Sequence, residues 1–385
     1  MYFNIVLLLR LLPKTFSASR KSLRYPSGKR IGRMLLLFPL FTVLFIVNSV
    51  FLLLDYVFFP HFLWMKIPKS VFIVGVPRTA TTFLLESLSS DREQFTSFRL
   101  WELVFAPSVI QKYFFRGLLF IDRYTGKPFR RLASFADKIV FGNFRAIHNM
   151  GFGKPEEDEA LLLWCFSSAY LAYFFPETTA ADELLFFDDS LPLHKRKRIM
   201  RFYYRCVQRH QLVFNRRREK YFLSKNPAFV CKMETVPFFF PEAKILYTLR
   251  TPFRTIPATI SLNANIYSAF SRLPEKYPLQ EETKNAVIRW YKMADAALQK
   301  MPENAYRIVP FGRISKQPEN ELGAIYGFLG VNINAARKAA FQSIQQKADA
   351  YKSGHTYDTA SGIDEHELRA ELDFVINGPY KNEIG

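Results

Sequence analysis

The chain of 385 residues reads as an α/β protein: a three-layer sandwich with a central parallel sheet, preceded by an N-terminal hydrophobic segment that associates with membrane. Three observations predict this. Short β-branched and aromatic runs at 71–75, 221–224, 244–249 and 306–309 have the character of strands buried on both faces. Helical patterns at 81–89, 193–210, 228–239 and 281–300 alternate with them. A content of 49% hydrophobic and 16% aromatic residues fills a large core, and no internal repeat divides it. The expected boundaries are 1–66 for the basic, hydrophobic segment and 67–385 for the globular domain.

In the N-terminal segment, residues 34–54 form a stretch of 21 residues without a charge, preceded by Arg10, Lys14, Arg20, Lys21, Arg24, Lys29, Arg30 and Arg33. Its length permits a membrane span, and the flanking cations would place the globular part on the far side of that membrane. Against a span stand Pro39 and Asn48 inside the stretch, a second apolar run at 5–12, and the lack of a disulfide framework, so an interfacial or re-entrant anchor stays open as the alternative. The expectation is membrane association, with the cytoplasmic face set ahead of a lumenal single-pass topology.

The most informative segment follows. Val71-Phe72-Ile73-Val74-Gly75 is a buried strand, and Gly75 permits a tight exit into Val76-Pro77-Arg78-Thr79-Ala80-Thr81-Thr82. The helix starting near Thr81 turns free N–H groups and its positive dipole end into that loop, which makes it an anion site. Arg78 adds a fork of donors, and Thr79, Thr81 and Thr82 add hydroxyls. A nucleotide-triphosphatase loop needs Gly-Lys where Ala80 and Thr81 stand. The strand at 244–249 ends in Arg250 rather than in a metal-binding Asp. Two cationic strand ends suit a ligand with two separated anionic groups and no metal.

Farther along, helical sequence extends from 98 to about 134, and Pro155 with the acidic run 156–159 is expected to open a strong helix reaching about Phe175, its acids at the favourable dipole end. Residues 349–363 read as a loop before the last helix. Clusters such as Tyr113-Phe114-Phe115 and Phe238-Phe239-Phe240 are core packing first, with an apolar acceptor pocket or a membrane face as the other use.

The formal net charge of +19 predicts attraction to polyanions or anionic lipid. No zinc-finger spacing, RNA-binding signature or helix-turn-helix pattern supports nucleic acid as the partner. Cys165, Cys206 and Cys231 lack metal-ligand spacing and read as reduced packing residues.

Taken together these segments resemble the PAPS-dependent sulfotransferases. Residues 72–84 resemble their 5′-phosphosulfate loop. Residues 222–227 (Phe-Leu-Ser-Lys-Asn-Pro) and 240–254 resemble their Lys-x-Pro segment and 3′-phosphate strand and loop, and 149–162 resembles a segment of the broad bacterial and eukaryotic branch. The resemblance covers roughly 70–375 and implies a P-loop-like sandwich that binds PAPS as co-substrate, without a metal. It implies cofactor contacts from Pro77, Arg78, Thr79, Ala80, Thr81, Thr82, Arg250 and Thr259, with His355 and Tyr357 from the C-terminal loop. It departs from the family at Ala80, where Gly is usual, and at Ala258, where a phosphate-binding Ser is usual; Thr259 or Ser261 would compensate.

For catalysis, Arg78 is expected to stabilise the transferring group and Lys225 to be the second cation, as the resemblance to tyrosylprotein sulfotransferases implies for that segment. Glu102 is the first candidate for the base on the acceptor and His148 the second. Glu156, Glu157 and Glu159 read as helix-start acids, one of which would orient His148 or an arginine. The implied reaction passes a sulfuryl group to a hydroxyl acceptor, apolar or membrane-associated, with carbohydrate and protein tyrosine left open. The alternatives are a noncatalytic phosphoadenosine- or anion-binding relative on a membrane, a nucleotide kinase, and a structural membrane protein.

Overall fold

The computed structural model describes residues 2–16, 28–141, 151–176, 178–272, 274–350 and 365–383. Five parallel strands form one sheet in the order β2-β3-β1-β4-β5, with β1 at Ser70–Gly75, β2 at Phe95–Thr96, β3 at Tyr221–Lys225, β4 at Lys244–Leu249 and β5 at Tyr306–Pro310. Four of the five coincide within a residue or two with the runs read from sequence. Two residues are too short a strand to leave a pattern, which is why β2 has no counterpart there.

Every residue of β1 is buried because both faces of the sheet are covered. Phe72 and Val74 join a core with Phe222, Ile245 and Tyr247 on one face. Val71 and Ile73 join Leu223, Leu246 and Val309 on the other. This alternation is the period-two geometry of a strand, doubled by a hydrophobic layer on each side.

The helices run in chain order as follows. α1 (Ile5–Leu11) and α2 (Gly28–Phe58) precede the sheet. α3 (Thr81–Ser89) follows β1 with the bounds its sequence predicts. Between β2 and β3 lie α4 (Leu100–Phe105), α5 (Val109–Asp122), α6 (Pro128–Phe141), the short α7 (Leu171–Phe174), α8 (Asp182–Leu185) and α9 (Phe187–Ser190), and the long α10 (Leu193–Phe214). α11 (Pro252–Phe270) and α12 (Gln280–Leu298) join β4 to β5, and α13 (Phe311–Lys316), α14 (Pro318–Phe328), α15 (Ala335–Ala350), α16 (Glu365–Glu371) and α17 (Asp373–Ile376) complete the chain.

Two expectations are corrected. The single helix from Pro155 to Phe175 is instead a 3-10 segment, Asp158–Cys165, then α7, because Phe166 takes a left-handed conformation (φ 52°) between them. Residues 228–239 form two 3-10 segments, Pro227–Lys232 and Val236–Phe238, rather than one helix. α2 is one helix long and apolar enough to cross a membrane, and Pro39 lies inside it without ending it. Leu7, Leu11, Met34 and Leu52 nevertheless belong to the same core as the sheet residues.

Candidate active site

The C-terminal ends of β1, β3 and β4 lie side by side. Register pairs Ile73 with Lys225 and Gly75 with Thr248, so the loop after β1, the lysine ending β3 and the arginine following β4 come to one edge. A Cβ on Gly75 would stand 2.6 Å from the Thr248 carbonyl oxygen, so only glycine lets β1 exit there.

The loop is curled by two residues of positive φ, Arg78 (71°) and Ala80 (70°). The position where the resemblance leads one to expect Gly takes a left-handed conformation in this chain, and Ala80 holds it with a side chain in place. Ala80 is the N-cap of α3 and no side chain caps the helix, so its first-turn N–H groups face the loop. Thr79 is different. Its hydroxyl is buried, donates to the Val76 carbonyl (2.7 Å) and accepts from Thr248 Oγ1 (2.6 Å), so it braces the loop from inside. Thr81 is buried and Thr82 half-buried at the start of α3.

Arg250 Nη1 donates to the Arg78 carbonyl at 3.0 Å, and its guanidinium lies 4.2 Å over the Phe311 ring. The hydroxyl of buried Tyr291 donates to the Arg250 carbonyl at 2.7 Å. Thr259 Oγ1 stands 2.8 Å from the Thr255 carbonyl and 3.4 Å from the Pro77 carbonyl, linking α11 to the loop. Ala258 is buried, so its missing hydroxyl is not replaced at the same point of α11.

Lys225 is buried and ion-paired with Glu157, whose other carboxylate oxygen accepts from Tyr170. Burial first, and Glu157 second, hold the Tyr170 phenol well above its usual range, which keeps it a donor to that carboxylate. Beside this pair, Glu159 accepts from Lys232 at 3.0 Å and from Asn226 at 3.0 Å. Asp158 accepts from Tyr203 at 2.6 Å and from Ser224 at 3.1 Å. Burial pushes the Asp158 carboxyl up to about 7, against the pull of those hydrogen bonds. A cleft opens next to the loop, lined by Pro77, Tyr173, Thr259, Tyr277, Val287 and Trp290.

Residues 68–335 match the model of the Sulfotransferase family. The chain belongs to that family. Curated relatives are the omega-hydroxy-beta-dihydromenaquinone-9 sulfotransferases Stf3 of Mycobacterium bovis (strain ATCC BAA-935 / AF2122/97) and Mycobacterium tuberculosis (strain CDC 1551 / Oshkosh), each 25% identical over 321 residues, which is 77% of this chain and 72% of theirs. Among solved structures, sulfotransferase STF9 from Mycobacterium avium superposes with a TM-score of 0.68 at 16% identity, covering 85% of this chain and 81% of that one. STF1 from Mycobacterium tuberculosis H37Rv gives 0.63 at 17%, covering 84% and 82%. These two likenesses show that the α/β sandwich is a sulfotransferase fold.

In this sulfotransferase the structure brings Pro77, Arg78, Ala80, Thr81, Thr82, Lys225, Arg250 and Thr259 to one edge of the sheet. It gives Glu102 other partners. One Glu102 oxygen accepts from the Arg99 N–H at 3.2 Å, the other is 2.8 Å from His210 Nδ1 and 3.9 Å from Lys112 Nζ, and the side chain is buried. None of these partners belongs to the sheet edge that carries Arg78 and Arg250. His148, His355 and Tyr357 lie outside the described residues.

Tyr170, Tyr291 and Phe311 are the site-edge residues that sequence reasoning passed over, and Glu157, read there as a helix-start acid, pairs with Lys225 instead. The available signal was the acidic run itself: four successive residues, 156–159, span more than one helix face. Some of them must therefore turn inward, where only a buried cation or donor tolerates them.

Proposed function

We propose that this sulfotransferase moves the sulfuryl group of PAPS to the hydroxyl of an apolar, lipid-like acceptor. The observation that carries the reading is the tie between Arg250 and the Arg78 carbonyl, behind an uncapped helix start. It couples two anion-binding elements at a fixed spacing, which suits a single adenylate with a phosphate at each end. The α3 N–H groups and Arg78 would hold the 5′ end, and Arg250 with Thr259 the 3′-phosphate. An aromatic-lined cleft beside Pro77 supports an apolar acceptor. So does the name of the curated relatives, which designates an omega-hydroxy-beta-dihydromenaquinone-9 as their substrate.

In the step itself the acceptor oxygen forms a bond to sulfur as the bond from sulfur to the bridging phosphate oxygen breaks. The products are a sulfate ester and adenosine 3′,5′-bisphosphate. Arg78 and Lys225 neutralise charge on the sulfuryl oxygens and the bridge. Glu157 is the proposed base. It is the carboxylate held against Lys225 at the strand end and is partly open, with its side chain 22% exposed. As Lys225 turns to the incoming sulfuryl group, Glu157 takes the acceptor's proton.

Calorimetric titration with adenosine 3′,5′-bisphosphate, set against ATP with magnesium, tests the reading. Tight bisphosphate binding is expected, and preference for ATP would overturn it in favour of a nucleotide kinase. Mass spectrometry of membranes from cells with and without the protein should show a product heavier by one sulfate. Bisphosphate binding with no such product on any hydroxylated lipid would leave only a noncatalytic binder.

A further inference from the structure

We infer that α2 lies flat in the surface of an anionic bilayer, one flank sealed to the domain and the other sunk below the headgroups, with the α5–α6 hairpin inserted beside it. This contact with the membrane is independent of the sulfuryl donor.

A spanning helix leaves its domain within a few turns. α2 does not leave it. Near its start Lys29 Nζ donates to the Ser268 carbonyl at 2.8 Å. In its middle Phe41 stacks on Trp164, with centroids 5.4 Å apart and planes 7° from parallel. A turn or two later Asn48 donates to the Val104 carbonyl at 3.1 Å and accepts from Gln111 at 2.7 Å. Near the end, buried Asp55 accepts from Arg209 Nε at 2.7 Å and from the Val109 and Ile110 N–H groups at 2.9 and 3.2 Å. These polar residues, which would be expensive in hydrocarbon, are spent on the domain.

The opposite flank carries Leu36, Leu40, Val43, Val47, Val50, Leu53 and Val57, all exposed and spaced by threes and fours along one face. From Leu36 to Val57 this stripe runs roughly 32 Å at the α-helical rise. α5 packs on α2 and continues the apolar surface with exposed Phe114 and Phe120, Tyr124 follows in the turn, and α6 adds Phe129, Leu132 and Phe135. A surface of this extent, uncovered among the described residues, marks a binding face.

Charge decides what covers it. Exposed Arg123, Lys127, Arg130 and Arg131 sit among those aromatics at the turn from α5 to α6, and exposed Arg33 stands at the start of the α2 stripe. Cations rimming an apolar plane complement lipid phosphates. A second copy of the chain would bring the same sign to the same edge, on a protein of formal charge +19.

On the sulfotransferase reading, the same placement sets α2 beside the acceptor cleft. α2 begins against Phe174 and Ser268, and Phe38 meets Phe175 edge-on at 6.2 Å. These residues belong to or adjoin α7 and α11, which wall the cleft beside the loop. A lipid alcohol would reach that cleft from the bilayer surface without crossing water.

The full chain, labelled with an environment-sensitive fluorophore at Leu36→Cys, Val43→Cys, Val50→Cys or Val57→Cys in turn, gives the test; Cys165, Cys206 and Cys231 are buried and stay unlabelled. The probe is a phosphatidylcholine vesicle holding about one part in four phosphatidylglycerol, with lipids brominated at known depths. All four labels should report one shallow depth, and binding should fall at least about tenfold on pure phosphatidylcholine. A Phe120→Ser/Phe129→Ser variant with an unchanged melting curve should lose about tenfold in partition. A gradient with Val43 and Val50 at the bilayer centre and the other two at its edges would show a span instead. Absence of quenching together with a dimer in sedimentation would show a second copy on this face, and either result overturns the inference. Bisphosphate binding, read on the same samples, separates these outcomes from failure of the sulfotransferase reading.

Discussion

Arg250 reaches back from the end of β4 to donate to the carbonyl of Arg78, 3.0 Å away, so the residue expected to hold one phosphate also fixes the loop expected to hold the other. The Phe311 ring under the guanidinium sets its plane. Replacing Arg250 removes a ligand and loosens the loop together. In Arg250→Ala the dissociation constant for adenosine 3′,5′-bisphosphate is expected to rise about 10- to 100-fold, as loss of a charge-assisted hydrogen bond implies. Arg250→Lys should recover little of it, because an ammonium cannot both stack on Phe311 and present two donors. Calorimetry checks both, and wild-type affinity in Arg250→Ala would remove Arg250 from the site.

Ala80 occupies a left-handed backbone position with φ of 70° at the N-cap of α3. A Cβ there costs roughly 1 kcal/mol, partly offset by the greater chain entropy of glycine when unfolded. Ala80→Gly is therefore expected to raise the melting temperature by about one to three degrees and to tighten bisphosphate binding, since the backbone can then approach the phosphate more closely. A fall in both quantities would mean that the methyl group packs usefully and that the loop is not strained.

The two carboxylates considered for the base make opposite predictions. Glu102 ties α4 to Lys112 of α5 and His210 of α10, and it accepts from the backbone N–H of Arg99, the N-cap of its helix. Glu102→Gln should lower thermal stability by about 1–3 kcal/mol, as breaking a buried charge-assisted hydrogen bond does. The kcat of the folded fraction should stay within about threefold of wild type, far short of the loss that follows removal of a general base. Glu157→Gln should leave bisphosphate affinity near wild type and lower kcat about 10²- to 10⁴-fold. Full activity in Glu157→Gln, or a comparable loss in well-folded Glu102→Gln, would reverse the assignment.

Local signals carried the fold and half of the site. The bounds of α3 and β4 coincide with the sequence reading because a doubly buried strand and a loop-to-helix turn are written in neighbouring residues. The partners of the acids are not. Glu102 meets His210 across 108 positions, Lys225 meets Glu157 across 68, and Lys232 meets Glu159 across 73. Read alone, residues 156–159 look like a helix start. In the folded chain burial turns Asp158 and Glu159 inward to Tyr203 and Lys232, and the helix is lost to a 3-10 segment ending at Phe166. α2 shows the same limit: its composition permits a span, and the partner that accounts for Asp55 within it, Arg209, lies more than 150 residues away.

Asp158 makes stability depend on pH in a direction opposite to most carboxylates. Its folded value, about 7, lies above the ordinary 3.8 because burial outweighs the hydrogen bonds from Tyr203, Ser224 and Asn226, with Glu159 raising it further. Between these two values the folded protein keeps a proton that the unfolded chain has released. Its contribution is therefore whole below 3.8, declines as pH rises, and levels off above about 7. Asp158→Asn cannot titrate, so its melting temperature relative to wild type should climb steadily from acid pH to neutrality and then stay constant. Paired melting curves across that interval check it. A difference independent of pH, or one that narrows toward neutrality, would show that Asp158 is ionised throughout and that its three donors more than compensate for burial.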